Sequence, residues 1–416
     1  MNSRINTDDR GGSLNMSLQI HSKNNAKKRW PVILTVLCLG LVSQLSIAGP
    51  REQAKRIHDR LAGVPPSNTV LANMETLLNS ANPADHEAAA VIAMQNPAFY
   101  NVTLKNFATP WTNEEQTVFA PLNDYSATVI GMIRDDMPFN QVLSAPYLYK
   151  GTIQPDYSIS NNNHYEEMER RGVDLSNTSN LVRVSQASVN PGVAAAGVVT
   201  TRAAARAFFV DGTNRAMFRF TMMNHLCTDL DPIKDNTRPS DRIRQDVSRS
   251  PGGDSRIFMN ECLGCHAGMD PLTQAYAYYE YEYTNDKETG RLVYTPNSVQ
   301  PKHHINEDNF KYGYIIPDDR WSNYWRHGSN ANRLGWGTCP GTLDAKGVCH
   351  GNGAATMGEE LANSDAFATC QVKKVFKAVC FREPSNTELT NVTASFKSDY
   401  NMKNVFAKAA VSCMGN

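Results

Sequence analysis

The sequence has no surplus charge of either sign: 41 Lys and Arg stand against 41 Asp and Glu. That absence removes the basic footprint on which nucleic-acid binding rests, so no nucleic-acid partner is expected. Internal repeats and low-complexity tracts are missing. So are a phosphate loop, a zinc-protease pattern and a Ser/His/Asp order. The carboxylate pairs Asp135-Asp136 and Asp318-Asp319 read as helix ends and solvated loops rather than acid–base sites. Long apolar runs are nearly absent too, since only residues 31–48, PVILTVLCLGLVSQLSIA, are uncharged and apolar for any distance.

That one run reads as an export signal. Lys23, Lys27, Lys28 and Arg29 precede it, and Ser46-Ile47-Ala48 ends it with small residues at the positions a signal peptidase inspects. Cleavage after Ala48 is expected. The alternative is an uncleaved anchor, because 18 residues just span a bilayer, but Gln44 and the two serines weaken it. Cys38 lacks the small residues of a lipobox before it, and Met16 is an alternative start. The mature chain is slightly acidic, has no further membrane segment, and is expected in the periplasm.

Of nine cysteines, Cys38 lies in the leader. The others are Cys227, Cys262, Cys265, Cys339, Cys349, Cys370, Cys380 and Cys413. An even number in an oxidising compartment favours disulfides. Helical signals dominate the rest, so the fold class is mainly α: a multi-helix exported protein with a C-terminal helical domain. Asn82-Pro83 caps EAAAVIAM. Thr112 with Glu115 and Ser385 with Glu388 read as capping boxes. Phe218, Met222 and Leu226 mark the apolar face of a buried helix. Tyr276–Thr284 alternates as a short strand does. Turn-rich stretches at 154–164, 176–191 and 229–255 break the pattern. The expected division is a leader (1–48), an N-terminal helical domain (49–185), a central domain (186–300) and a C-terminal helical domain (301–416).

In that last domain, helices over 366–380, from 385 and over 402–413 form a hairpin that returns Cys413 to the end where Cys380 lies, which predicts Cys380–Cys413. Cys370 and Cys380 are separated by about 15 Å of helix and do not pair. The Gly/Pro loop between Cys339 and Cys349 suits a disulfide. The following His350 leaves a widely spaced second haem motif as the alternative. Cys227 and Cys370 stay unassigned.

The chemistry concentrates in NECLGCHAGMDP, residues 260–271, where Cys262, Cys265 and His266 stand as C-x-x-C-H. Covalent haem c attachment, a redox dithiol and half of a zinc site all use such cysteines. The preceding DSRIFMNE is helical rather than strand-like, which speaks against a thioredoxin-type site, and no further ligand pair stands at zinc spacing. Haem attachment happens outside the cytoplasm, in agreement with the leader. The two thiols would add to the porphyrin vinyls, and His266 would be the proximal iron ligand. Asp270-Pro271 reads as the cap and first residue of a new helix, with Met269 packing on the ring. Candidates for the distal ligand are His303, His304 and Met357, with His327 behind them. Trp321, Trp325 and Trp336 are expected to wall the porphyrin.

The segment NECLGCHAGMDPLTQAYAYYE resembles the CxxCH-xx-MDPL haem segment of the planctomycete-type cytochrome c family. RIHDRLAGVPPS, RDDMPFNQVL and MGEELANSDAFATCQVKKVFKAVCFREPS are similar to other parts of those proteins. Thr273 and Phe381 stand where the family usually has glycine. The resemblance implies an exported helical haem protein and carries over Cys262, Cys265 and His266. The expected function is single-electron transfer by one covalent haem to a redox partner that the sequence does not name. The alternatives are a haem enzyme with an open iron site for peroxide or oxygen chemistry, a haem subunit docking to a dehydrogenase, and a scaffold in which haem is structural.

Overall fold

Side chains visible in the sequence set most of the helix ends. In the computed structural model, which describes residues 48–210, 215–244, 255–304 and 313–415, the expected leader lies, but for Ala48, outside the described residues. The described residues begin with three helices, α1 (Pro50–Ala62), α2 (Asn68–Leu78) and α3 (Pro83–Met94). Ser67 caps α2 by accepting from Val70 N, and Asn82 caps α3 by accepting from Ala84 N with Pro83 behind it. Helix α4 (Asp124–Arg134) is buried on every side. Then come α5 (Asn163–Arg170), α6 (Arg202–Phe208), α7 (Arg215–Leu226) and α8 (Leu263–Thr273). The last four are α9 (Gly353–Ala362), α10 (Asp365–Cys380), α11 (Asn386–Asp399) and α12 (Met402–Ser412).

The first and last described helices meet. Helix α12 lies on α1 and α3 as well as on α10. Small residues at the contact, Ala89, Ala90 and Ala93 on α3 and Ala407, Ala409 and Ala410 on α12, are all buried and let the backbones approach closely. Arg56 Nη1 donates to Met414 O at 2.6 Å and Arg60 Nη1 to Cys413 O at 2.9 Å. These cations satisfy carbonyls at the C-terminal end of α12. One apolar core runs from Ala54 to Ala410, and Ala48–Asn416 form one compact unit.

Helix α10 buries Val372, Val375, Phe376 and Val379, and the Ser385/Glu388 capping box opens α11. Cys380 is bonded to Cys413 across this hairpin, Cys339 to Cys349, and Cys227 to Cys370. The last of these staples the end of α7 to α10. Three disulfides are the covalent pattern of an oxidising compartment. No described helix is long and apolar enough to cross a membrane.

Among the described residues, three small antiparallel sheets complete the fold. β1 (Tyr147–Gly151) pairs with β2 (Leu181–Ser185), the latter inside a stretch that reads as linker. β3 (Tyr279–Glu282) pairs with β4 (Arg291–Tyr294), as the alternation over 276–284 suggests. β5 (Arg320–Asn323) pairs with β7 (Cys349–Asn352), which pairs with β6 (Thr342–Leu343).

The Thr112/Glu115 capping box does not form. The Thr112 hydroxyl donates to Thr109 O at 2.8 Å and accepts from Asn123, so it is spent inside a 3-10 turn. Asn113 then closes a loop on Thr117, and Phe119 is left 92% exposed.

Candidate functional site

The C-x-x-C-H residues open α8. A helical turn at Ser255–Ile257 and a wider π-turn at Phe258–Cys262 run straight into it, so Cys262 stands at its N-cap and Cys265 and His266 in its first turn. Positions 262, 265, 266 and 270 recur at helical spacing and share one face. The expected new helix at Asp270-Pro271 does not begin there. Pro271 lies inside α8, which ends two residues later at Thr273, so only the last turn loses a hydrogen bond. Asp270 caps nothing, because its carboxylate is engaged elsewhere. Met269 is buried in the main core.

Asp270 is the centre of a buried polar cluster. Its side chain is fully enclosed, and His266 Nδ1 lies 3.1 and 3.2 Å from its two oxygens. A carboxylate only accepts, so Nδ1 carries the proton and the neutral ring keeps its lone pair on Nε2. Arg215, at the start of α7, donates to the same carboxylate from Nε at 2.9 Å and Nη2 at 3.4 Å. Burial alone would raise the Asp270 carboxyl, but Arg215, His266 and Arg244 overcome it and hold the group far below the usual carboxylate range.

Arg244 joins this cluster to a distal candidate. Its Nη1 lies 2.8 Å from Nδ1 of His303, and both side chains are buried. A guanidinium only donates, so His303 accepts at Nδ1 and a neutral ring carries its proton on Nε2. Burial and then Arg244 keep His303 well below the ordinary histidine range. Next to it, His304 Nδ1 is buried with no hydrogen-bond partner among the described residues. Met357 is buried on α9 within the main core. His327 stands against the Cys339–Cys349 loop, with its ring 3.3 Å from where a side chain on Gly347 would begin.

The thiols of Cys262 and Cys265 are both free and half-buried, and the other six described cysteines are disulfide-bonded. Burial pushes the Cys265 thiol up, with Lys234 opposing. Beside them Ile243, Phe258 and Leu263 form a small apolar cluster apart from the main core. The Phe258 ring lies 5.3 Å from that of His266. Two free thiols, an imidazole with an available Nε2 and an adjoining apolar wall are a donor set that fits a covalently attached haem.

The second C…CH is accounted for otherwise. Cys339 and Cys349 are joined to each other, and His350 is held by Ser322 Oγ at 2.8 Å and Asp344 Oδ2 at 3.2 Å. Of the tryptophans, Trp325 lies on α8. A Cβ at Gly268 would come within 1.9 Å of its Nε1, so only glycine lets the indole sit there. Trp336 donates to Trp325 O at 2.8 Å, and Trp321 donates to Thr356 at 3.0 Å.

Asp270, Arg215 and Arg244 are the residues that sequence reasoning missed as part of this cluster. Asp270 stands four residues after His266, a spacing that does signal contact on a helix, but Pro271 masked it by suggesting a break. Nothing local announces the arginines. No family model, no curated protein and no solved structure matches the chain.

Proposed function

We propose that this chain is an exported, periplasmic monohaem c-type cytochrome that passes single electrons to a redox partner, as its resemblance to the planctomycete-type cytochrome c family implies. One observation carries the reading: the only described cysteines outside disulfides are Cys262 and Cys265, and the imidazole beside them is already oriented by Asp270. Haem, when bound, supplies the one-electron couple. Cys262 and Cys265 anchor it through thioethers, and His266 offers Nε2 to the iron. Asp270 fixes the tautomer of His266 and makes the ring a stronger donor. Arg215 keeps Asp270 ionised, so the negative charge under the imidazole is permanent.

A second reading, an iron site open to peroxide or oxygen, is favoured by one feature. His303 has its Nδ1 taken by Arg244, and ligation through Nε2 would require that bond to break. Of the two histidines, His304 is the one whose Nδ1 has no hydrogen-bond partner among the described residues. The test is the reduced visible spectrum of protein matured in a haem-attaching periplasm, with and without carbon monoxide. A c-type spectrum indifferent to carbon monoxide supports the carrier, and one shifted by it supports the open site. A chain without covalent haem overturns both.

A further inference from the structure

Away from the C-x-x-C-H segment, α10 presents Lys373, Lys374 and Lys377 to an open cavity of about 910 Å³. Trp111 and Met223 wall it, and Leu389 of α11 completes the apolar side. The disulfide between Cys227 and Cys370 holds α7 and α10 together at its base.

Lys374 is the unusual member. Its Nζ lies 4.0 Å from the centroid of the Trp111 ring and donates to the Asn224 carbonyl. No carboxylate among the described residues bonds to it. Glu383, the one acidic residue lining the cavity among the described residues, pairs with Lys377 at 3.3 Å. The neighbouring His225 is buried, its Nε2 2.6 Å from the Tyr125 hydroxyl and its ring 5.3 Å from Trp111. Burial, with no opposing charge, holds the Lys374 amine well below the ordinary lysine range. A lysine that is desolvated, uncompensated and still reachable from a cavity is suited to the chemistry of a neutral amine. Lys373, one residue before it, is exposed and has no carboxylate partner among the described residues, so its ammonium is available to an anion.

We propose that this cavity binds a small 2-oxo acid, with Lys374 joining its keto carbon as an imine and Lys373 receiving its carboxylate. The unprotonated amine adds to the carbonyl carbon, forming the C–N bond. The resulting carbinolamine loses its oxygen as water to leave C=N. No electrons change hands, and no group beyond the acid and the lysine takes part. Trp111 and Leu389 supply the apolar wall for the short carbon chain.

The test is reductive trapping on the full, disulfide-intact protein. Pyruvate with sodium cyanoborohydride is expected to give one reduced adduct per chain. Peptide mapping should place it on Lys374, on the order of tenfold above any other lysine, the advantage that a lower amine pKa confers. Lys374→Met should remove the adduct and keep the near-UV circular dichroism, since a neutral chain suits the site. Lys373→Met should lower the yield with pyruvate but not with acetone. Labelling spread evenly over surface lysines, or none, overturns the proposal. Equal yields with pyruvate and acetone overturn the carboxylate assignment. Should Lys374→Met not fold, the mapping on the native chain decides alone.

Discussion

His266 and Asp270 face each other across one turn of α8, with Nδ1 3.1 Å from one carboxylate oxygen and 3.2 Å from the other. Because Asp270 is fully enclosed and also bonded to Arg215, the pair is a fixed charge beneath an imidazole, and two consequences separate.

Asp270→Asn keeps the shape and removes the charge. Stability should fall by about 3 kcal/mol, because the buried ion pair between Asp270 and Arg215 is broken. In the haem-loaded protein the midpoint potential should rise, because His266 becomes the weaker donor. Urea denaturation reads the first and a redox titration the second. A fall in stability with an unmoved potential would mean that the carboxylate serves Arg215 alone.

Gly268→Ala should reverse the usual sign. In an exposed helix interior alanine gains about 1 kcal/mol over glycine. Here the new methyl group would overlap the Trp325 indole, and overpacking of this kind costs about 1–3 kcal/mol. Chemical denaturation of the variant decides it, and a stabilised protein would show that Trp325 can yield.

Acid should weaken the fold through His225. Burial holds its folded pKa well below 6.5. The unfolded chain therefore takes up a proton that the folded chain refuses. The stabilisation is complete above 6.5 and is lost as pH falls below it, at up to about 1.4 kcal/mol per pH unit. His303, also buried and depressed, adds to the slope. Denaturation midpoints at successive pH values from neutral down should show the decline, and His225→Gln should flatten part of it. Identical slopes in the two proteins would sink this assignment.

Phe381→Gly should stabilise. Phe381 closes α10 at φ 56° and is 78% exposed, so its ring contributes little packing while its backbone sits in the left-handed region. Relief of that strain is worth about 1 kcal/mol, readable as a raised Tm.

Much of the helical frame is legible residue by residue. Asn82-Pro83 and the Ser385/Glu388 box mark true helix starts because capping is a contact between residues three or fewer apart. The valine stripe of α10 shows its buried face for the same local reason. Helix α4 escaped notice because it is buried all round and so has no polar face to give it a period. β2 escaped because its partner β1 lies some thirty residues earlier, beyond a turn-rich stretch. The Thr112/Glu115 box and the helix start at Asp270 were plausible locally, but each side chain found a distant or competing partner instead.

By itself, then, the sequence determined a mainly helical chain, the C-x-x-C-H spacing of Cys262, Cys265 and His266, and the ends of its outer helices, all of which depend on neighbours within a turn or two. Only the tertiary structure decided that Cys227 meets Cys370, that Arg215 and Arg244 converge near Asp270, and that Lys374 faces Trp111 with no carboxylate partner among the described residues. Those are meetings between segments far apart in the chain. They are fixed by how one continuous core packs, and no short stretch of sequence carries that information.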